Sequence, residues 1–239
     1  MQKIQLQMNK ITKIGASAFA YCTELENFAI PVGITEIGQN AFNGCKDITS
    51  FTCPAGVTKI GSQLFLNAVN LVSVSLHPNV TEIGSFAFSG CTELTTISGL
   101  ENVTKLGSGV FKNAIKLNNI VIPAGVEVVP DGCFDTCRAL SNITLSDGIK
   151  VIDRLAFNGC ENLESITLPL TLTTIGEYAF DGCLKLNNVT IPSSVVSLAP
   201  TAFDNCVKLT EIAVNNGSVS YEADNGVIFT KGKETMVFY

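Results

Sequence analysis

The chain has 239 residues, of which 46% are hydrophobic and 15% are charged, with 15 Lys and Arg against 21 Asp and Glu. Because nucleic-acid binding needs clustered Lys and Arg, the formal net charge of −6 argues against nucleic acid as a partner. The sequence has no apolar run of roughly 18 residues, so we expect no membrane insertion.

Residues 1–10 lack the apolar core of a signal peptide. Ile4, Leu6 and Met8 alternate with polar residues, and this alternation predicts an N-terminal edge strand. A chain that starts in this way either stays inside the cell or has lost a targeting segment.

Residues 11–217 contain a tandem repeat. A phenylalanine recurs every 23 residues, nine times without a slip: Phe19, Phe42, Phe65, Phe88, Phe111, Phe134, Phe157, Phe180 and Phe203. The third residue after each Phe is Cys in seven units and Ala in two, and the sixth is always Leu or Ile. A unit this short cannot bury its own apolar face, but stacked units share one continuous core.

Each unit contains two local patterns. Apolar and polar residues alternate from the eighth to the eleventh position after the Phe, which predicts a short strand, and a Pro that ends it follows in five units. The Ala-Phe-x-x-Cys stretch predicts a single helical turn, and the Gly or Asn that commonly precedes the Cys position tolerates a positive φ. The expected fold is a β-rich α/β solenoid, an arc of nine 23-residue units with a parallel sheet on one face.

The repeating unit Leu-x-x-Ile-x-Ile-Pro-x-x-Val-x-x-Ile-Gly-x-x-Ala-Phe-x-x-Cys resembles the leucine-rich repeat of the BspA type, also called the treponemal class. The resemblance extends over about residues 11–217. It implies a cell-surface or secreted protein that binds other proteins and mediates adhesion to host or neighbouring cells.

Residues 218–239 abandon the period. Two alternating segments, 226–229 and 235–239, flank a Lys-Gly-Lys turn at 231–233. This pattern predicts a C-terminal β-hairpin that caps or interrupts the array.

The nine cysteines fit a hydrophobic core better than a disulfide framework or a metal site. Seven share one phase of the repeat, which also accepts Ala, and Cys53 and Cys133 take core positions, so we expect free thiols. There is no Cys-x-x-Cys pair, and His77, the single imidazole, is expected on an exposed loop. We therefore predict no metal, no cofactor, no catalytic residues and no enzymatic activity.

The eighth and tenth residues after each Phe flank the buried strand residue, so their side chains should point outward. Most are Ser, Thr or Asn, and fourteen of them form a predicted binding face. These residues, which we call the hydroxyl face, are Asn27, Ser50, Thr52, Ser73, Ser75, Thr96, Ser98, Asn119, Asn142, Thr144, Ser165, Thr167, Asn188 and Thr190. The face either only solvates the sheet or docks a protein ligand whose identity the sequence does not give.

The leading hypothesis is a non-catalytic module for protein–protein binding, acting in adhesion. An intracellular interaction scaffold is the alternative, because the signal peptide is missing and the thiols are expected to be reduced. A carbohydrate-binding module is disfavoured, since sugar rings stack on aromatic side chains and none of the four tyrosines recurs at a position of the face.

Overall fold

The computed structural model describes residues 11–238, and the edge strand predicted for residues 1–10 lies outside them. The described chain forms nine stacked coils of 23 residues followed by a three-stranded antiparallel sheet. We number the coils from the short strand that opens each one: coil 1 is 13–35, coil 2 is 36–58, coil 3 is 59–81, coil 4 is 82–104, coil 5 is 105–127, coil 6 is 128–150, coil 7 is 151–173, coil 8 is 174–196 and coil 9 is 197–219.

Two ladders of parallel strands run along the coils, although the sequence predicted only one. The short ladder consists of the two-residue strands β1 (Lys13–Ile14), β2 (Glu36–Ile37), β4 (Lys59–Ile60), β6 (Glu82–Ile83), β8 (Lys105–Leu106), β10 (Val128–Val129), β12 (Val151–Ile152), β13 (Thr174–Ile175) and β15 (Ser197–Leu198). The second residue of each strand is buried in the core.

The long ladder corresponds to the predicted strands. It consists of β3 (Ser50–Thr52), β5 (Ser73–Ser75), β7 (Thr96–Ser98), β9 (Asn119–Ile122), β11 (Asn142–Leu145), β14 (Asn188–Ile191) and β16 (Glu211–Val214). Strands pair in register, so that Ser50, Ser73 and Thr96 stand side by side. Among the described coils, 1 and 7 lack a long strand, and coil 7 contributes one bridge, from Ser165 to Asn188.

The described residues contain no helix, so the predicted α/β class is wrong and the fold is a β-solenoid. The Phe42 turn shows the reason: Asn40 and Gly44, on either side, have φ of 58° and 69°, which a right-handed helix cannot include. The N–H of Phe42 donates to the carbonyl of Leu64 in the next coil at 3.0 Å, not to its own coil. Equivalent bonds of 2.7–3.0 Å join all eight pairs of neighbouring coils.

The nine periodic phenylalanines form one stacked column through the core. Consecutive ring centroids lie 5.1–6.0 Å apart, with interplanar angles of 13° or less. The rings from Phe42 to Phe203 are at most 2% exposed, while Phe19 in coil 1 is half-buried. Offset stacking of this kind adds to the free energy of area burial, so the column is the axis of the fold.

The periodic cysteines make a hydrogen bond that the sequence did not reveal. All nine cysteines, which lie within the described residues, are free thiols, and all except Cys22 are buried. In six coils the thiol donates to the carbonyl oxygen of the periodic Phe 26 residues earlier, at 3.0–3.3 Å. This position therefore favours a small side chain that is also a donor.

The C-terminal sheet consists of β17 (Tyr221–Asp224), β18 (Val227–Thr230) and β19 (Met236–Phe238). Strands β18 and β19 form the predicted hairpin, and β17 is an additional strand joined to β18 through Asn225 and Gly226, with φ of 50° and 82°. The Tyr221 hydroxyl accepts the Leu198 N–H at 3.0 Å and donates to the Val196 carbonyl at 3.4 Å. Tyr221 thus covers the last strand of the short ladder.

Candidate functional site

The hydroxyl face lies on the outer surface of the long-ladder side, in two adjacent columns. Thirteen of its fourteen residues are exposed, and Ser73 is half-buried. In the paired strands the columns are set by register: Thr52 stands beside Ser75, and Asn119 beside Asn142. Since neighbouring strands are about 4.8 Å apart, the face presents small polar groups at a regular spacing.

The hydroxyl groups of this face are unused by the fold. Within residues 11–238, none of its ten Ser and Thr side chains makes a hydrogen bond to another part of the chain. Of its four asparagines, Asn142 and Asn188 bond to the residues just before them, and Asn27 bonds to coil 2. The hydroxyls are therefore available to water or to a partner.

Threonines elsewhere in the coils behave differently. Just before the short strand, the hydroxyls of four threonines donate to a carbonyl 23 residues earlier, at 3.0–3.5 Å: Thr35, Thr81, Thr104 and Thr173. These threonines bind one coil to the next. Hydroxyl groups just before the short strand thus have a structural role, because they bond one coil to the next. Within residues 11–238, the hydroxyl groups of the hydroxyl face have no such role.

The hydroxyl face carries no ionisable side chain. Ion pairs instead join neighbouring coils at other surfaces, as between Lys59 and Glu82 at 3.1 Å and between Lys150 and Glu127 at 2.8 Å. Exposed pairs like these contribute little to stability individually. A ligand of the hydroxyl face would be recognised by hydrogen bonds and shape, not by charge.

The long ladder is interrupted at three junctions of the described chain: between coils 1 and 2, between coils 4 and 5, and between coils 6 and 7. The bonds from the Phe turns continue across all three. The face is thus divided into blocks, while the turns hold the coils together on another side. The repeat pattern did not predict these interruptions.

The buried thiols of Cys45, Cys91 and Cys137 are poor nucleophiles. Burial raises the pKa of Cys45 to about 11, and it raises the pKa of Cys91 and Cys137 further. Since the thiolate is the reactive species, these cysteines stay inert at neutral pH. Cys22, in coil 1, is the exposed exception.

Other catalytic material is sparse in the described region. His77 is half-buried, not exposed as predicted, and its Nδ1 accepts the Asn79 N–H at 3.2 Å, which makes it part of a turn. No group of three or more His, Cys, Asp or Glu side chains in residues 11–238 is arranged to hold a metal ion.

Asp135 is a buried carboxylate that the sequence reading did not single out. Its Oδ1 accepts from Thr136 at 2.9 Å and from Asn158 at 2.8 Å, and its Oδ2 pairs with Lys112 at 2.7 Å. Lys112, Asp135 and Asn158 belong to coils 5, 6 and 7. Because both carboxylate oxygens are engaged, Asp135 is a structural link between coils.

The three tyrosines within residues 11–238 offer no platform for sugar rings on the hydroxyl face. Tyr221 is buried in the C-terminal cap, and the exposed Tyr21 and half-buried Tyr178 lie on Phe turns.

Within residues 11–238, no helix has the length and apolar character that a membrane span requires.

Comparison with known proteins places these coils in context. The family profile described as "BspA type Leucine rich repeat region" matches residues 12–141 and 127–225, in six copies. A search of curated protein sequences finds no significant match.

Several solved structures have a similar fold. A leucine-rich repeat protein of Bacteroides ovatus has 25% identity and a TM-score of 0.51, over 85% of this chain and 76% of that one. One from Eubacterium ventriosum has 21% identity and a TM-score of 0.53, over 90% and 78%. The pneumococcal vaccine antigen PcpA has 20% identity and a TM-score of 0.56, over 88% of this chain and 61% of its own length.

Proposed function

Because the chain belongs to the BspA-type leucine-rich repeat family, we propose that it is a non-catalytic module that binds a protein partner through the hydroxyl face. Proteins of this repeat class typically bind other proteins, and solenoids offer extended surfaces for doing so. We further propose that it acts at the cell surface or as a secreted protein, in adhesion, as the family resemblance implies.

One observation carries the placement of the site. The ten Ser and Thr hydroxyls of the face make no hydrogen bond within the described chain, whereas four of the threonines before the short strands bind coil to coil. An array of unused hydrogen-bonding groups without charge suits a partner surface that is itself polar and extended. Because the face lacks Trp, Tyr and Arg, which dominate binding hot spots, its binding energy is spread over many contacts.

The test is binding to a panel of extracellular-matrix and cell-surface proteins, with a face variant beside the wild type. The face variant changes Thr96, Asn119, Asn142 and Ser165 to Lys, which places four long charged side chains on consecutive coils. Loss of binding in this variant supports the site.

A matched control carries the same added charge on another surface. It changes Val128, Val151, Thr174 and Ser197 to Lys, the outward residues of four consecutive short strands. The proposal expects this control to bind like wild type. Equal loss in both variants, or unchanged binding in the face variant, would place binding outside the hydroxyl face.

The free thiols favour a second candidate, an interaction scaffold inside the cell, because disulfides are usual in extracellular proteins. Antibody labelling of intact and permeabilised native cells separates the two. Labelling of intact cells supports the surface assignment, and labelling only after permeabilisation supports the scaffold.

A further inference from the structure

Coils 1 and 2 are joined on the long-ladder side by a side chain, at the place where coils 2 and 3 are joined by the main chain. Asn27 Oδ1 accepts the N–H groups of Thr49 and Ser50 at 2.9 and 3.0 Å, and Asn27 Nδ2 donates to the Thr49 hydroxyl at 2.6 Å. Between coils 2 and 3, the equivalent N–H groups, of Val72 and Ser73, donate to the Thr49 carbonyl. Since the Asn27 amide stands where a main-chain carbonyl would be, coil 1 is held away from β3.

As a result, β3 has an open edge towards coil 1. Cys53 N–H donates to Ser75 in coil 3 at 2.8 Å, and because N–H groups alternate sides along a strand, Thr52 N–H is directed towards coil 1. Both coils are fully described, and no main-chain hydrogen bond joins residues 26–30 to residues 49–53. An unpaired strand edge is a template for another extended chain.

A cavity of about 470 Å³ opens at this edge, which we call the junction cleft. Its inner wall is apolar and aromatic, with Phe28 and Ile30 from coil 1 and Phe42, Phe51 and Phe65 from coils 2 and 3. The Phe28 and Phe51 rings are tilted by 56° and 57° against the stacked rings of Phe42 and Phe65.

The mouth of the junction cleft is polar, formed by Asn27, Ser50 and Thr52 of the hydroxyl face. A size of this order, an apolar interior and a few convergent polar groups are the usual properties of a ligand site.

We propose that the junction cleft binds an extended peptide segment that carries a bulky apolar side chain. The peptide main chain pairs with the free edge of β3 at Thr52, and its apolar side chain enters the space between the Phe28 and Phe51 rings. Strand addition combined with a side-chain pocket is a recurrent mode of peptide recognition. This inference rests on the proposed function, because it identifies the segment of a protein partner that the chain would bind. The junction cleft also provides an apolar pocket for one side chain, which the hydroxyl face lacks.

The test uses two blocked peptides, acetyl-Thr-Ser-Phe-Ser-Thr-amide and the same peptide with Asp in place of Phe. Amide resonances and hydrogen exchange of the ¹⁵N-labelled chain are followed during titration. The Phe peptide is expected to shift the Thr52 resonance and slow its exchange, while Cys53, already bonded, stays protected throughout. The Asp peptide is expected to do neither.

A pair of variants fixes the position. Ala29→Trp fills the mouth of the junction cleft, and Ala213→Trp places the same side chain at the equivalent position of coil 9. Ala29→Trp should weaken the Phe peptide about tenfold or more, and Ala213→Trp should leave its affinity unchanged. Should Ala29→Trp fail to fold, Thr52→Pro removes the free donor at an edge position that accepts proline, and it should weaken the Phe peptide about tenfold, as measured on the amide resonances of neighbouring residues.

The proposal is overturned if neither peptide perturbs Thr52 up to its solubility limit, if both do so equally, or if Ala29→Trp binds like wild type. These outcomes do not contradict the proposed binding of a protein partner through the hydroxyl face. That proposal is tested separately, by comparing the face variant with wild type. Conversely, suppose that the peptide binds at Thr52 while the face variant still binds the partner protein like wild type. That result would support the junction cleft as a peptide site and would contradict the proposed role of the hydroxyl face.

Discussion

The thiol of Cys137 donates a hydrogen bond to the carbonyl oxygen of Phe111, 26 residues earlier, with an Sγ···O distance of 3.1 Å. The same carbonyl also accepts the N–H of Ala114 in its own coil at 2.9 Å. Two acceptor sites on one buried oxygen are thus filled by two successive coils, and the bond from the thiol is the one that crosses between them.

Cys137→Ala should lower the free energy of unfolding by about 1–2 kcal/mol, because it leaves the Phe111 carbonyl with one partner and opens a small void. The reverse change, Ala114→Cys, adds a donor opposite Phe88, where the repeat has none, and should not destabilise the protein. Urea denaturation followed by circular dichroism measures both. Equal destabilisation by the two substitutions would mean that size alone governs this position.

The stacked array of coils could be predicted from the sequence, because it depends on side chains that are buried at the same positions of each repeat. From coil 2 to coil 9 the Phe column and the Cys phase face the core, so selection for apolar or small side chains repeats there. The alternation around Phe51 likewise gave β3, since one residue faces inward and its neighbours face outward.

The Phe turns, the short strands and the junction cleft could not be predicted in the same way. They depend on hydrogen bonds between neighbouring coils, which leave no local pattern in the sequence. The stretch around Phe42 suits a helical turn by spacing, but its N–H finds a better-placed acceptor at Leu64 in the next coil. The two-residue strand β4 contains only one apolar residue and shows no alternation. Asn27 has the same residue type as Asn119, yet only Asn27 replaces a main-chain acceptor, so the junction cleft could not be foreseen.

Phe111→Ala should cost about 3–5 kcal/mol, as large-to-small substitutions in packed cores do, and should break cooperativity at the middle of the array. Phe19→Ala is the matched control, because Phe19 is the half-buried first ring of the same column, and it should cost less. Urea denaturation and hydrogen exchange of the flanking coils report both effects. A Phe111→Ala protein that unfolds like wild type would show that the column is not the core anchor.

Stability should fall at alkaline pH because of the buried thiols. Burial raises the pKa of Cys45 from 9.0 to about 11, so between these values the folded state holds a proton that the unfolded state has lost. The free energy of unfolding then decreases as pH rises, by up to about 1.4 kcal/mol per pH unit for each such thiol. Below about pH 9 this contribution is fully present.

Urea denaturation at about pH 8 and about pH 10 measures this slope, and Cys45→Ala should make it shallower. A thiol reagent should modify Cys22 rapidly in the native protein and the eight buried cysteines only on unfolding. Rapid native modification of more than one thiol would show that the core opens readily.

Tyr221→Phe should destabilise the C-terminal end of the solenoid while leaving the middle intact. The hydroxyl of Tyr221 is the partner of both the Leu198 N–H and the Val196 carbonyl, and its loss costs about 1–2 kcal/mol when a buried donor is left unpaired. Because each coil contacts only its neighbours, hydrogen exchange should accelerate at β15 and β16 and stay unchanged at β5. Exchange that accelerates uniformly would mean that the array unfolds as one unit, and no change at β15 would mean that the ring of Tyr221, not its hydroxyl, forms the cap.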